Sequence, residues 1–191
     1  MRQVPLTVRR WTRAEYDRLV DRGAFQGEPL ELVGGQLIVA EPQGSYHASA
    51  VGGVSDAIRA ALPAGFVVRV QLPLVLDDES EPEPDVAVVP GTHDDYRAAH
   101  PRRASLLLEV AESSLGFDRD TKGSLYARGA VQDYWIVNLV DRVLEVYRDP
   151  VPDASAPYGW RYRSVERLTA SDRVALLGLP AMRIAVSDLL P

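Results

Sequence analysis

The sequence predicts an α/β fold of the α+β type, in which a central mixed β-sheet is flanked by helices. The first indication is the order of elements, since apolar, strand-like runs precede, separate and follow segments with helical periodicity. The second is size, because 191 residues with 46 % hydrophobic content can bury one mixed core. We therefore expect residues 1–191 to form a single domain with an N-terminal helix and β-hairpins.

The predicted N-terminal helix begins near Thr12. Thr12 and Glu15 have the spacing of a capping box, in which each side chain accepts a hydrogen bond from a free backbone amide of the first turn. Tyr16, Leu19 and Val20 then supply an apolar stripe along the helix.

A hairpin and a longer helix are predicted next. Strands over residues 30–33 and 36–40 are separated by two glycines, which suit a tight hairpin turn. The helix is predicted over residues 45–62. Its core face, at helical spacing, comprises His47, Val51, Val54, Ile58 and Leu62.

The remaining chain is predicted to contain mainly strands and one further helix. A surface loop or short helix is expected over residues 92–104, which lack periodicity. The helix is expected from about Asp118 to Gly129, with Gly129 as its C-cap. The predicted strands lie at residues 66–70, 72–76, 85–89, 105–111, 133–138, 143–147, 160–163 and 183–186. The last two of these are predicted to be short edge strands.

Composition narrows the classes of function. The formal net charge of −6 argues against a protein that coats nucleic acid non-specifically, because such binding needs clustered positive charge. It is compatible with a nuclease, since a bound cation neutralises metal-binding carboxylates. The absence of cysteine excludes disulfides and thiolate zinc sites. No run of about twenty apolar residues and no opening typical of a signal peptide is present, so we expect a cytoplasmic protein that does not bind membranes.

The candidate site consists of Asp85, Glu109 and Lys122. Lys122 is the only lysine of the chain, and the two acidic residues each lie in an apolar run of strand type. Carboxylate oxygens bind hard cations such as Mg²⁺ or Mn²⁺, and a compact ammonium group can orient water or stabilise charge beside a phosphate. This combination indicates a metal-dependent phosphodiesterase.

Helical spacing supports the grouping. Asp118, Lys122 and Tyr126 are four residues apart and share one helix face. Because a lysine that points toward a sheet needs a negative partner, Glu109 is its expected neighbour. Asp118 could equally be the N-cap of the helix, and Tyr126 is expected in the core with its hydroxyl near the site.

An ordered set of motifs extends from about the first helix to Tyr147. The motifs are Glu31-Leu32-Val33-Gly34-Gly35-Gln36-Leu37, His47, Pro84-Asp85-Val86-Ala87-Val88-Val89, Leu108-Glu109-Val110, Asp118 through Lys122 to Tyr126, and Asp133-Tyr134-Trp135-Ile136-Val137. In this ordered set the chain resembles the Uma2 family of the PD-(D/E)XK restriction-endonuclease-like superfamily.

The resemblance implies a restriction-endonuclease-like core and the roles of several residues. Asp85 matches the aspartate of the PD half, and Glu109 matches the second acidic ligand. Ala111 stands where the usual lysine follows, so the resemblance implies that Lys122 supplies this group from the next helix. Glu31 matches an early glutamate, which is a further metal or water ligand. Two departures from the family pattern are Glu112 and Asn138.

Each site residue also has a purely structural interpretation. Asp85 could cap a strand, and Glu109 could form a structural salt bridge with Lys122. Glu31 could be a solvent-facing strand residue, and His47 could be a core histidine instead of a ligand.

The function expected from the sequence is hydrolysis of nucleic-acid phosphodiester bonds, with DNA as the expected substrate. In this hypothesis Asp85, Glu109, the Val110 carbonyl and Glu31 bind Mg²⁺ or Mn²⁺, Lys122 acts on water or the phosphate, and His47, Asp118 and Tyr126 surround the site. The alternative is a non-catalytic binding or regulatory module that retains the nuclease fold. In either case a homodimer through the exposed hairpin or edge strands is expected.

Overall fold

The computed structural model describes residues 7–39 and 43–191, and the elements below are those of this part of the chain. The helices are α1 (Arg13–Asp21), α2 (Ser45–Ala61) and α3 (Gly123–Arg128), and a π-helical turn (Phe117–Lys122) leads directly into α3. The strands are β1 (Leu30–Val33), β2 (Gln36–Val39), β3 (Phe66–Val70), β4 (Val86–Pro90), β5 (Leu106–Ala111), β6 (Asp133–Asn138), β7 (Val143–Pro152), β8 (Trp160–Leu168), β9 (Arg173–Leu176) and β10 (Leu179–Ala185). Two short 3₁₀ helices lie at His93–Tyr96 and Val186–Asp188.

A six-stranded mixed sheet in the order β3-β4-β5-β6-β7-β8 forms the centre of the fold. Only β5 and β6 are parallel within this sheet, and the π-helical turn and α3 form the crossover between them. The strands β1 and β2 form a separate hairpin, and β9 and β10 form another. The predicted fold class, a mixed sheet flanked by helices with additional hairpins, is confirmed.

Alternation along the strands divides the core between the two faces of the sheet. On β5, Leu106 and Leu108 pack in the cluster that includes the buried residues of α2, whereas Leu107 packs in the cluster that includes Tyr126 of α3. Glu109 follows the same alternation as Leu107 and therefore extends toward α3. The alternation of side chains along β5 therefore points this carboxylate toward the π-helical turn that contains Lys122 and leads into α3.

The N-terminal helix and the β1–β2 hairpin follow the sequence expectation closely. Thr12 is the N-cap of α1, and Glu15 completes the capping box. Of the predicted apolar stripe only Tyr16 is buried, and its hydroxyl donates to the Leu30 carbonyl, while Val20 is 48 % exposed. The last residue of the predicted second strand, Ala40, lies outside the described residues.

Three predictions of secondary structure are corrected. Residues 72–76 are irregular instead of a strand, because Pro73 lacks an amide hydrogen and the Leu74 and Val75 amides donate to the Pro82 and Pro101 carbonyls. The edge strand predicted at 160–163 extends to Leu168 as β8.

The third correction concerns the C-terminus. Residues 183–185 of the strand predicted at 183–186 belong to β10, which pairs with β9 and not with the main sheet, and Val186 begins the last 3₁₀ helix. Within residues 7–39 and 43–191, none of the helices combines the length and apolar character that crossing a bilayer requires.

Candidate active site

Glu109 and Lys122 meet in the interior between β5 and the π-helical turn. The Lys122 ammonium lies 3.1 Å from Oε1 of Glu109, and the Tyr126 hydroxyl donates to the same oxygen at 2.6 Å. Lys122 and Tyr126 therefore bind the same carboxylate oxygen of Glu109, a residue that is 3 % exposed. The structure places Lys122 and Tyr126 on one face, as the spacing predicts, although the turn before α3 is π-helical, a form often found at functional sites.

Asp85 lies immediately before β4 and next to Glu109. Its backbone amide donates to Oε2 of Glu109 at 3.2 Å, and its own Oδ2 accepts from the Val110 amide at 2.8 Å. These reciprocal bonds hold two acidic residues that are 24 positions apart at the same point of the sheet. Burial raises the pKa of Asp85, but hydrogen bonds from His47 and the Val110 amide outweigh it, so the pKa of this carboxyl is lowered overall.

Glu31 also reaches this point from the β1–β2 hairpin. Its Oε1 lies 3.3 Å from the Lys122 ammonium, and its Oε2 accepts from the Glu83 amide at 2.9 Å. The interpretation of Glu31 as a solvent-facing residue is wrong, because the residue is only 8 % exposed. Lys122 is consequently paired with two carboxylates from different parts of the chain.

His47 faces the site from the first turn of α2. Its Nε2 lies 2.6 Å from the Val110 carbonyl oxygen and 3.5 Å from Oδ2 of Asp85. The Asp85 carboxylate raises the pKa of His47, although burial opposes this shift. His47 is therefore not enclosed in the apolar core beside Val51 and Val54 but bridges two oxygen atoms of the site.

Asp118 lies within the π-helical turn and is 3 % exposed. Its carboxylate accepts from the Ser114 hydroxyl at 2.6 Å, so it binds a side chain of the preceding loop instead of acting as the N-cap. Burial raises the pKa of Asp118 to about 6, although the nearby Lys122 ammonium opposes the shift.

The charged groups at the centre of the site change one another's pKa values. Burial raises the pKa of Glu109, an effect that the Lys122 ammonium opposes and that Asp85 and Asp118 reinforce. Burial alone would lower the pKa of Lys122, but Glu109, Glu31 and the two aspartates raise it overall. Lys122 is therefore held as an ammonium ion at neutral pH.

Gln71 belongs to the site and was not predicted from the sequence. Its side-chain amide donates to Oδ1 of Asp85 at 3.1 Å, and its backbone has a left-handed φ of 50° at the end of β3. A single exposed glutamine has no sequence pattern that indicates function. The positive φ, which is uncommon outside glycine, asparagine and aspartate, is visible only in the structure.

These groups line one cavity of about 550 Å³. The cavity lies between the β1–β2 hairpin, the first turn of α2 and the loop that follows β5. The residues that line it are Pro29, Leu30, Glu31, Ile38, Val39, Gln43, Gly44, His47, Gln71, Glu83, Asp85, Glu109, Val110, Glu112, Ser113, Ser114, Phe117, Asp118 and Lys122. All predicted site residues except Tyr126 are thus at its surface, and Tyr126 lies behind Glu109.

The donor set matches the preferences of a hard divalent cation. Asp85 and Glu109 supply carboxylate oxygens and Val110 supplies a carbonyl oxygen, the ligand types that Mg²⁺ and Mn²⁺ bind. Within residues 7–39 and 43–191, however, no three acidic, histidine or cysteine side chains are grouped closely enough to hold an ion by themselves. A metal here would therefore need the backbone carbonyl and water as further ligands.

Comparison with known proteins identifies a family and a shared fold. The Uma2 family model, described as "Putative restriction endonuclease", matches residues 13–187. No curated protein matches the chain. A solved structure from Anabaena variabilis, described as a "putative nuclease belonging to DUF820", superposes with a TM-score of 0.63 at 14 % identity, covering 84 % of this chain and 88 % of that chain. At this identity the superposition shows a shared fold.

Family and fold together point to a restriction-endonuclease-like nuclease. The family model spans nearly all of the described elements, from the start of α1 to the last 3₁₀ helix. The chain therefore belongs to the Uma2 family.

Proposed function

We propose that the protein is a Mg²⁺- or Mn²⁺-dependent endonuclease that hydrolyses phosphodiester bonds of nucleic acid, with DNA as the expected substrate. Asp85, Glu109 and Lys122 are its proposed catalytic side chains. The observation that carries the proposal is the meeting of Glu109 on β5 and Asp85, immediately before β4, with Lys122, the only lysine of the chain, at the wall of one cavity. The family match supports the reaction class.

Asp85, Glu109 and the Val110 carbonyl are the groups that would hold the metal, with Glu31 as a further ligand. A divalent ion bound there supplies a Lewis acid that lowers the pKa of water and neutralises phosphate charge. Tyr126 and Lys122 both bind Oε1 of Glu109 and thereby fix the orientation of its carboxylate. The other oxygen, Oε2, lies on the side of Asp85.

Lys122 has an electrostatic role in this proposal. Because neighbouring carboxylates raise its pKa, the side chain is an ammonium ion at neutral pH and cannot accept a proton from water. It can donate hydrogen bonds to phosphate oxygens and stabilise the negative charge that develops during hydrolysis. Glu31 and Glu109 hold the ammonium group at the cavity wall until substrate enters.

The second candidate is a non-catalytic module that retains the fold. The observation that favours it is the pairing of Lys122 with both Glu31 and Glu109, because these ion pairs stabilise the buried lysine by protein groups alone. The homodimer predicted from the sequence remains a prediction in both candidates.

The decisive experiment combines metal binding with cleavage. Wild type, Asp85→Asn and Lys122→Met would be incubated with plasmid and single-stranded DNA in Mg²⁺ or Mn²⁺, and Mn²⁺ binding would be measured by calorimetry. We expect both variants to lose at least about a hundredfold in cleavage, while only Asp85→Asn loses metal affinity strongly.

Asp56→Asn is the matched control, because Asp56 lies on α2 with its side chain 81 % exposed. Circular dichroism establishes that each variant is folded. A wild type that binds no Mn²⁺, or cleavage that persists in both site variants, would reject the nuclease assignment and favour the module.

A further inference from the structure

The reactive groups lie at the bottom of the cavity and not on an open surface. The side chains of Lys122 and Glu109 are 9 % and 4 % exposed, and those of Glu31 and Asp85 are 10 % and 12 % exposed. A scissile phosphate must therefore enter the cavity to reach them. A volume of about 550 Å³ is in the range of pockets that enclose one small ligand, about 300–1,000 Å³, which accommodates a nucleotide but not a duplex.

Two apolar side chains of the cavity lining, Ile38 and Phe117, are together called the apolar wall below. Ile38 pairs with Glu31 across the β1–β2 hairpin, and opposed residues of an antiparallel pair extend to the same face. Because Glu31 contacts Lys122 at the site, Ile38 lies on the cavity face of the hairpin beside it. Phe117, which begins the π-helical turn, is partly exposed and also lines the cavity.

The charges of the cavity allow a contact with one phosphate at Lys122 but not with a row of phosphates. Its lining includes six acidic residues, Glu31, Glu83, Asp85, Glu109, Glu112 and Asp118. Lys122 is the only lysine or arginine among the described lining residues. A duplex is held mainly by several basic side chains along its backbone, and neither this lining nor the net charge of −6 provides them.

An unpaired nucleotide meets these conditions better than a base pair does. The planar face of any base can stack on apolar and aromatic side chains, and such stacking tolerates different sequences. The apolar wall provides that surface beside the groups that act on the phosphate. An unpaired strand also bends easily, so its phosphate can enter a recessed site without the cost of opening a duplex.

We propose that the cavity takes an unpaired nucleotide of a single-stranded nucleic acid, with its base against Ile38 and Phe117 and its phosphate toward Lys122. This inference rests on the proposed function, since it names the substrate class of the same site. Single-stranded DNA and RNA share the chemistry that the cavity recognises.

Binding is the primary test, because it does not require turnover. Fluorescence anisotropy of the wild-type protein with Ca²⁺ would compare labelled oligonucleotides of one sequence as single-stranded DNA, single-stranded RNA and duplex DNA. We expect at least one single strand to bind about tenfold tighter than the duplex. The better-bound strand identifies whether DNA or RNA is preferred.

Variants of the apolar wall test the mode of binding. Phe117→Ala and Ile38→Ala are expected to weaken single-strand binding about tenfold, and Phe117→Tyr is expected to retain it. The control is Leu177→Ala, an exposed leucine between β9 and β10 that does not line the cavity. Thermal unfolding of each variant separates lost binding from lost folding.

The outcomes distinguish this inference from the nuclease proposal. Equal or tighter binding of duplex, or binding of neither form, overturns the single-strand inference. A duplex cleaved in Mn²⁺ as fast as a single strand also overturns it but leaves the protein a nuclease. Selective single-strand binding without any cleavage supports the inference and rejects the nuclease assignment.

Discussion

At the scale of single residues, Gln71 shows how backbone geometry contributes to the candidate site. Its left-handed φ of 50° reverses the chain at the end of β3, so that its amide nitrogen donates to the Pro84 and Asp85 carbonyls at 3.2 Å. The same reversal brings its side chain to Oδ1 of Asp85. A non-glycine residue in this region costs about 1 kcal/mol, and such strain is often found at functional positions.

Replacing Gln71 with glycine is predicted to separate stability from function. Glycine removes the strain but adds flexibility to the unfolded chain, so the free energy of unfolding should change by less than about 1 kcal/mol. Loss of the amide that orients Asp85 should lower Mn²⁺ affinity about tenfold. Urea unfolding and Mn²⁺ calorimetry measure the two effects. Unchanged metal affinity in a folded variant would show that Gln71 only shapes the turn.

Tyr126 permits a comparison of two buried hydroxyl groups. Tyr126→Phe removes the donor to Glu109, whereas the control Tyr162→Phe removes a donor to the Val131 carbonyl at 2.9 Å. Both changes should lower the free energy of unfolding by about 1–2 kcal/mol, because each leaves a buried acceptor with one partner fewer. Only Tyr126→Phe should also weaken Mn²⁺ binding, about tenfold. Equal metal affinities for the two variants would contradict a positioning role for Tyr126.

At the scale of elements, the β6–β7 hairpin depends on a buried ionic network. Glu145 on β7 is 2 % exposed and accepts hydrogen bonds from Arg119, Asn138 and Tyr147. Asn138, noted from the sequence as a departure from the family pattern, therefore supports the hairpin by binding both Glu145 and Asp141. Burial raises the pKa of Glu145, but these partners, Arg119 first, lower it overall to about 2.

The depressed pKa of Glu145 predicts a loss of stability in acid. Unfolding returns this carboxyl toward its ordinary value of 4.5, so the stabilisation is complete above that pH and is lost as pH falls from about 4.5 toward 2. Glu145→Gln should remove on the order of 2 kcal/mol at neutral pH and flatten this part of the stability profile. Denaturant unfolding at a series of pH values measures the effect. Glu166→Gln is the control, because Glu166 is an exposed residue of β8. If stability falls equally steeply with pH in both variants, Glu145 is not the source of the acid sensitivity.

Elements with strong local signals were predictable, and those determined by tertiary contacts were not. The capping box at Thr12 and the glycine pair of the β1–β2 hairpin each dictate local geometry, so α1 and that hairpin were predicted correctly. Residues 72–76 have the composition of a strand, but the amides of Leu74 and Val75 donate to loop carbonyls at Pro82 and Pro101 and not to a neighbouring strand. The short strand β9 was missed because four residues are too few to show a period.

The candidate site also contains residues that the sequence predicts and residues that it does not. Carboxylates in apolar strands and a lone lysine stand out in the sequence, so the grouping of Asp85, Glu109 and Lys122 could be anticipated. The apolar wall could not, because the position of Phe117 depends on the π-helical turn and that of Ile38 on how the hairpin lies over the sheet. Hydrophobic residues at such positions resemble ordinary core residues.

At the scale of the whole molecule, the two apolar clusters share one sheet. Neighbouring residues of β5 belong to opposite clusters, and the C-terminal β9–β10 hairpin joins the cluster of α2 through Val174 and Ile184. Neither cluster can therefore be exposed without disturbing the strands that support the other. From this sharing we propose that the described residues form one domain.

The shared sheet predicts a single cooperative unfolding transition. Calorimetry should give an enthalpy on the order of 100 kcal/mol, equal to the van't Hoff enthalpy, because the whole chain unfolds as one unit. Ile184→Ala removes a buried side chain of the C-terminal hairpin that is 3 % exposed, and it should lower the free energy of unfolding by about 2–4 kcal/mol. If the hairpin is part of the same cooperative unit, the entire transition moves to lower temperature and remains a single peak. A second, earlier peak in Ile184→Ala would mean that the C-terminal hairpin unfolds independently of the sheet that carries the candidate active site.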